Sequence, residues 1–125
     1  MKDAMIIVED EAIIGLELKM IMEHAGYSIT AIVSSAEDAI SAALRDRPGL
    51  IIMDVLLRGE KDGVYAAERI NDEFKVPILF ITGNRQIVHE ERFKNIDNYI
   101  IMSKPPVEAD IAVSYTHLRA HETVL

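Results

Sequence analysis

The sequence predicts a single α/β domain in which one parallel sheet is sandwiched between helices, a doubly wound fold. Two observations carry this reading. Short apolar runs alternate with stretches of helical periodicity five times along the chain, the pattern of successive strand–helix units. The runs are continuous, as strands buried on both faces must be, and each helical stretch has one apolar stripe that suits packing on a sheet. A length of 125 residues leaves room for one such domain and no second.

The first strand is Ala4–Val8. Acids follow it, and then Ile14, Leu18, Ile21, Met22 and Ala25 fall on one helical face that Gly26 ends. Ser28–Val33 reads as the second strand. Ser34 with Glu37 forms a capping-box pattern, and Ala36, Ile40, Ala43 and Leu44 make the next apolar face. Leu50–Met53 is the third strand, ending at Asp54. Asp62-Gly63 opens a helix with Ala66, Ala67, Ile70 and Phe74 inward. Pro77–Ile81 is the fourth strand, a weaker helical stretch runs from about Arg85 to Ile96, and Tyr99–Met102 is the fifth strand. After Pro105-Pro106, Ile111, Tyr115 and Leu118 recur at helical spacing.

Composition excludes whole classes of function. There are no cysteines, hence no disulfide, no thiolate zinc site and no thiol catalysis. Thirteen basic against 21 acidic residues leave a net charge of −8, which argues against a direct grip on nucleic acid or on an anionic membrane. No apolar run approaches the roughly 20 residues of a membrane span, and Met1-Lys2-Asp3 does not open a signal peptide. The expectation is a cytoplasmic protein.

In sheets of this kind ligands bind beyond the carboxyl ends of the strands. The first strand ends in Glu9-Asp10, the third in Asp54, the fourth in Thr82 and the fifth in Ser103-Lys104. If the first and third strands are neighbours, three carboxylates crowd together and raise one another's pKa. A hard cation resolves that conflict, and Mg²⁺ suits it because it needs only one or two carboxylates and accepts phosphate oxygens. Lys104 adds a positive charge and Thr82 a hydroxyl. A carboxylate with a metal, a cation and a hydroxyl around it is equipped to form an aspartyl-phosphate. Taken singly, Asp10 or Asp62 could be a helix N-cap, Asp54 a loop carboxylate and Lys104 a solvated lysine; it is their joint placement at the strand ends that points to chemistry.

Val8-Glu9-Asp10-Glu11, Ile52-Met53-Asp54, Asp62-Gly63, Phe80-Ile81-Thr82-Gly83 and Ser103-Lys104-Pro105 resemble the receiver domain of two-component response regulators, of the chemotaxis-regulator type. The match runs in order from residue 4 to about 106. The resemblance implies a flavodoxin-like five-stranded sheet in the order 2-1-3-4-5. It implies that Asp54 takes a phosphoryl group from a sensor histidine kinase, with Mg²⁺ held by Glu9, Asp10, Asp54 and the backbone carbonyl of Leu56. Thr82 would bond the phosphoryl oxygens, Lys104 would pair with them, and the Lys104–Pro105 bond would be cis. The protein would then be a signalling phosphoacceptor and not an enzyme. Phosphorylation would shift the surface formed by the fourth helix, fifth strand and fifth helix, for a downstream protein or for a homodimer.

Several positions depart from the family's commonest pattern. The loop Val55–Lys61 lacks the usual proline and resembles a branch with a Leu-Arg-Gly stretch. Ile101 stands where an aromatic is common; Tyr99, two residues earlier, points to the same face. Pro106 stands where Phe is common. Leu56 and Asn84 would flank the path of a hydrolytic water, and leucine cannot orient one, so slow self-dephosphorylation is expected. Thr116, His117 and His121 are poor helix formers. From about Val113 the string resembles translated cloning or adapter sequence, giving a receiver over residues 1–112 with an atypical or non-native tail over 113–125. His117 and His121 have the spacing of a zinc pair but lack a nearby third ligand.

Two rival readings differ in class. A pseudo-receiver would be an interaction domain without phosphoryl chemistry; loss of Asp54, the acid pair or Lys104 would favour it, and all are present. A flavin-binding flavodoxin needs a Ser/Thr/Gly-rich loop after the first strand, where this chain has Glu9-Asp10-Glu11. An aspartate-nucleophile phosphohydrolase usually carries a second Asp where this chain has Leu56.

Overall fold

The computed structural model describes residues 4–83 and 90–123, with Glu90 and residues 121–123 described by their backbone alone. The strands are β1 (Ala4–Val8), β2 (Ser28–Val33), β3 (Leu50–Asp54), β4 (Ile78–Thr82) and β5 (Tyr99–Ser103). All pair in parallel, in the order β2-β1-β3-β4-β5. The helices are α1 (Ala12–His24), α2 (Ala36–Asp46), α3 (Gly63–Glu73) and α4 (Glu108–Thr123). The expected sheet and its order are therefore present. None of the helices among the described residues is long and apolar enough to cross a membrane.

The sheet divides the core in two. On one face Ile6, Val8, Ile51, Met53, Ile78 and Phe80 pack with the alanines of α2 and α3 and with Ile70. On the other, Met5, Ile7, Ile52, Leu79 and Ile81 meet Leu18 and Met22 of α1 and Ile111, Tyr115 and Leu118 of α4. Alternate side chains of each run leave opposite faces, so an unbroken apolar run fills both cores. β1, β3 and β4 are buried almost throughout, whereas β2 and β5, at the edges, are half-exposed.

Local details refine the sequence reading. Gly26 ends α1 at φ 99°, with the Tyr27 N–H donating to the Met22 carbonyl, the left-handed stop that glycine favours. The cap of α2 lies one residue later than the capping-box pattern: Ser35 Oγ accepts from the Asp38 N–H at 3.1 Å. Its buried face is Ala36, Ala39, Ala42 and Ala43, with Ile40 and Leu44 at the margin. α1 starts after Glu11 with no side-chain cap, so Asp10 is not spent on capping. Asp62 does cap α3, its Oδ1 accepting from the Tyr65 N–H at 3.0 Å.

Most of the first half of the helical stretch expected over 85–96 lies outside the described residues. Within the described part, Glu90–Phe93 form one 3-10 turn and residues 94–96 are not helical. Phe93 and Ile96 are buried, so over 90–96 the apolar spacing marks core contacts and not an α-helix. This connection is strapped to α3. Arg92 forks onto Asp62 at 2.8 and 3.1 Å, Asn95 donates to Glu68 at 3.0 Å, and the Asp97 N–H donates to Asn71 Oδ1 at 3.2 Å.

Despite its poor helix formers, the last segment is helical through Thr123, and Ile111, Tyr115 and Leu118 are buried against the sheet as their spacing requires. Tertiary packing overrides propensity here. Tyr115 also meets Tyr27 edge to face at 5.5 Å, and Asn98 donates to the Leu118 carbonyl at 2.8 Å. α4 therefore covers its side of the sheet, and this packing weighs against an uncovered β5 flank on that side.

The start of α3 is tight. A Cβ on Gly63 would fall well inside contact distance of the Asp54 backbone carbonyl and 2.9 Å from Met53 Cγ. The Gly63 N–H also donates to the Val55 carbonyl at 2.8 Å. Gly63→Ala is therefore expected to destabilise the domain by about 1–3 kcal/mol, the usual cost of overpacking. A urea midpoint equal to that of the wild type would show that this joint yields.

Candidate functional site

The carboxyl ends of β1, β3, β4 and β5 converge on one rim. β1 and β3 are direct neighbours, with Val8 beside Met53, so Glu9, Asp10 and Asp54 meet. Each offers a carboxylate oxygen, and these lie within 4.8 Å of one another. Glu9 is 4% exposed and Asp54 6%. Asp54 Oδ1 accepts from the Leu56 N–H at 3.2 Å, and Glu9 Oε2 accepts from the Glu11 N–H at 3.1 Å.

Lys104 reaches back from beyond β5 between the two buried acids. Its Nζ lies 2.9 Å from Asp54 Oδ2 and 3.2 Å from Glu9 Oε1. The backbone aims it: the Lys104 N–H donates to the Thr82 carbonyl at 2.9 Å, and the Lys104–Pro105 bond is cis. The cis bond is what the resemblance led us to expect.

The electrostatics follow from burial. Loss of water pushes the Glu9 carboxyl from 4.5 up to about 7; the Glu11 N–H pulls it back, Asp54 repels its charge, and Lys104 favours it. Burial also opposes the charge on Lys104, but its bonds to Asp54 and Glu9 outweigh this and hold its pKa above the ordinary lysine value. Asp62 stays below the usual carboxylate range in spite of burial, because Arg92 and the Tyr65 N–H hold its charge.

The structure thus brings Glu9, Asp10, Asp54 and Lys104 together. Thr82 sits one step further along: Asp54 lies beside Ile81 and Thr82 beside Ser103. By strand alternation Thr82 follows the Phe80 side of the sheet, and it is buried at 1% exposure. The Leu56 side chain is exposed at the mouth; its backbone N–H already touches Asp54. Asn84 lies outside the described residues. Tyr99 does face the same core as Ile101, stacking on Phe93 at 5.1 Å with Phe80 edge-on.

The donor set fits a small hard cation: three carboxylate oxygens within reach of one ion and, among the described residues, no His or Cys in the cluster. His117 lies on α4, away from this rim, and the side chain of His121 is outside the described residues.

Two residues near the rim gained no role from the sequence. Arg58, in the Leu-Arg-Gly stretch, donates to the Asp10 carbonyl at 3.3 Å. Arg92 ties the β4–β5 connection to the cap of α3. Neither contact has a local pattern; the residues are 48 and 30 positions from their partners.

Comparison with known proteins identifies the family of this fold. Residues 5–115 match the response regulator receiver domain. The phyllosphere-induced regulator PhyR of Methylorubrum extorquens is 31% identical over 94 residues, which are 74% of this chain and 33% of that protein. The chain spans about a third to a half of the length of the curated relatives it matches. Among solved structures, the signal receiver domain of a modulated diguanylate cyclase from Desulfovibrio desulfuricans G20 aligns at a TM-score of 0.86 and 26% identity, covering 99% of this chain and 98% of that one. The receiver domain of a sensor histidine kinase from Pseudomonas aeruginosa PAO1, solved with magnesium in its active-site cleft, shares the fold at a TM-score of 0.81 and 23% identity, covering 96% of this chain and 99% of that one. Sheet order and family match agree, and the chain belongs to the response regulator receiver domain family.

Proposed function

We propose that this domain is a Mg²⁺-dependent phosphoacceptor in which Asp54 takes a phosphoryl group from a sensor histidine kinase. The observation that carries the reading is the convergence of Glu9, Asp10 and Asp54 within one ion's reach, with Lys104 already on Asp54. In the transfer, an Asp54 carboxylate oxygen bonds to phosphorus as the bond to the donor's imidazole nitrogen or acyl oxygen breaks. The leaving group keeps the electron pair, and an imidazole then takes a proton from solvent.

Mg²⁺, held by Glu9, Asp10, Asp54 and the Leu56 carbonyl, would neutralise charge that otherwise repels the phosphoryl oxygens. Lys104, now bonded to both Glu9 and Asp54, would remain close enough to pair with a phosphoryl group on Asp54 once a metal took up the Glu9 charge. Thr82 would supply a hydroxyl to the phosphoryl oxygens from below the rim. Exposed Leu56 offers water no hydrogen bond on that side, which favours slow loss of the phosphoryl group. Exposed Ile13 and Leu16 on α1 and Val107, just before α4, offer apolar surface to a protein partner. We assign residues 1–112 to the receiver, with 113–125 an atypical or non-native tail that nonetheless continues α4 and packs Tyr115 and Leu118 on the sheet, while the family match runs to residue 115.

The test is intact-protein mass spectrometry after incubation with a small acyl phosphate, with and without Mg²⁺. One base-labile phosphoryl group is expected, on Asp54 and only with metal. Asp54→Asn should be unlabelled and still folded, since the site is a rim. Labelling that survives Asp54→Asn, or none from either an acyl phosphate or a kinase, would leave a phosphorylation-independent interaction domain as the function.

A further inference from the structure

We propose that Arg58 is an anion-binding residue that draws the phosphoryl group of the donor onto the rim, a role that rests on the phosphoacceptor reading above.

Glu9, Asp10, Glu11, Ser34, Asp38 and Arg58 are among the residues lining a groove of about 540 Å³ beside the rim. Four of these are acids, and a phosphoryl dianion approaching them meets repulsion that one divalent ion offsets only in part. Among the described residues lining this groove Arg58 is the single cation. Lys104 faces the acids from the other side and is committed to Glu9 and Asp54.

The way Arg58 is held suits the task. Among the described residues its guanidinium makes one hydrogen bond, to the Asp10 backbone carbonyl at 3.3 Å, and no ion pair with any of the four acids. A carbonyl places the group without neutralising it, and most of its five N–H donors stay available to phosphate oxygens. The residue is exposed, so it can turn from the carbonyl to an arriving anion. A planar fork matches two phosphate oxygens, which a lysine does not.

Labelling rates at saturating Mg²⁺, measured against acyl-phosphate concentration, test the assignment. Arg58→Ala is expected to raise the half-saturating donor concentration about two- to fivefold, the effect of one charge-assisted contact at an exposed site, with the maximal rate unchanged. Arg58→Lys should fall between the two proteins, and Mg²⁺ affinity should be the same in all three. An unchanged half-saturating concentration in Arg58→Ala overturns the proposal. So does a rise matched by weaker Mg²⁺ binding, which would make Arg58 only a strut between the loops. A second measurement needs no transfer: inorganic phosphate titrated into the Mg²⁺-loaded proteins and followed by amide chemical shifts. Weaker binding to Arg58→Ala supports the proposal even if the wild type is never labelled, in which case the phosphoacceptor reading alone has failed. Equal binding overturns it.

Discussion

Lys104→Met is expected to cost the metal-free domain about 2–4 kcal/mol at pH 8, somewhat below the usual price of breaking a fully buried ion pair, since Lys104 is partly exposed. The ammonium lies within 3.2 Å of both Glu9 and Asp54. Methionine fills a similar volume and leaves two buried carboxylates facing each other unpaired. Glu9 then gains a proton more readily still, so the loss should shrink toward pH 5. Mg²⁺ should restore much of the stability at pH 8, because it takes over the charge that the lysine neutralised. Urea midpoints with and without Mg²⁺ measure all of this. A variant as stable as the wild type at pH 8 without metal would show that Lys104 does not hold the acids together.

The metal-free wild type should be more stable near pH 5 than near pH 8, by on the order of 2 kcal/mol. Glu9 titrates near 4.5 when unfolded and at about 7 in the fold. Between those values the folded state binds the extra proton, so the contribution is present at low pH and is lost as pH rises through 7. Lys104, whose folded pKa is raised, contributes stability below its ordinary range and loses it only at alkaline pH. Asp62, whose folded pKa is lowered, loses its contribution only at acid pH. Neither changes between pH 5 and 8, which leaves the slope to Glu9. Glu9→Gln should flatten it. Mg²⁺ binding must displace the same proton, so its affinity should fall about tenfold per pH unit below 7. A flat stability curve for the wild type would show that water reaches Glu9 in solution.

The strands were legible because the buried central ones, β1, β3 and β4, have to be unbroken apolar runs and the edge strands β2 and β5 keep enough apolar residues to stand out; the five segments Ala4–Val8 to Tyr99–Met102 each match a strand to within a residue at either end. The acids, Thr82 and Lys104 were legible because each directly follows such a run. Arg58 and Arg92 were not, since what matters about them is a partner 48 or 30 residues away. The cap of α2 was misplaced by one residue because Ser34 and Ser35 offer the same oxygen and only backbone geometry chooses between them. Over 90–96 the apolar residues at 93 and 96 suggested an α-helix, whereas a single 3-10 turn followed by a loop buries the same two side chains. Thr116 and His117 were judged by their local preferences, which three well-spaced core contacts outweigh.

The uneven burial across the sheet sets where this molecule can yield. β3, which carries Asp54, lies between two neighbours and is buried along its whole length, while β5, which ends at Lys104, has one neighbour and half-exposed side chains. Opening a region costs roughly what its buried contacts contribute, so β5 sits at the low-cost end of the molecule's local unfolding and β3 at the high-cost end. The Lys104 contacts to Glu9 and Asp54 therefore join a stiff half to a compliant one. If Asp54 is the phosphoacceptor proposed above, a new charge there is expected to displace β5 before β3, and hydrogen exchange of the β5 amides against those of β3 measures the difference.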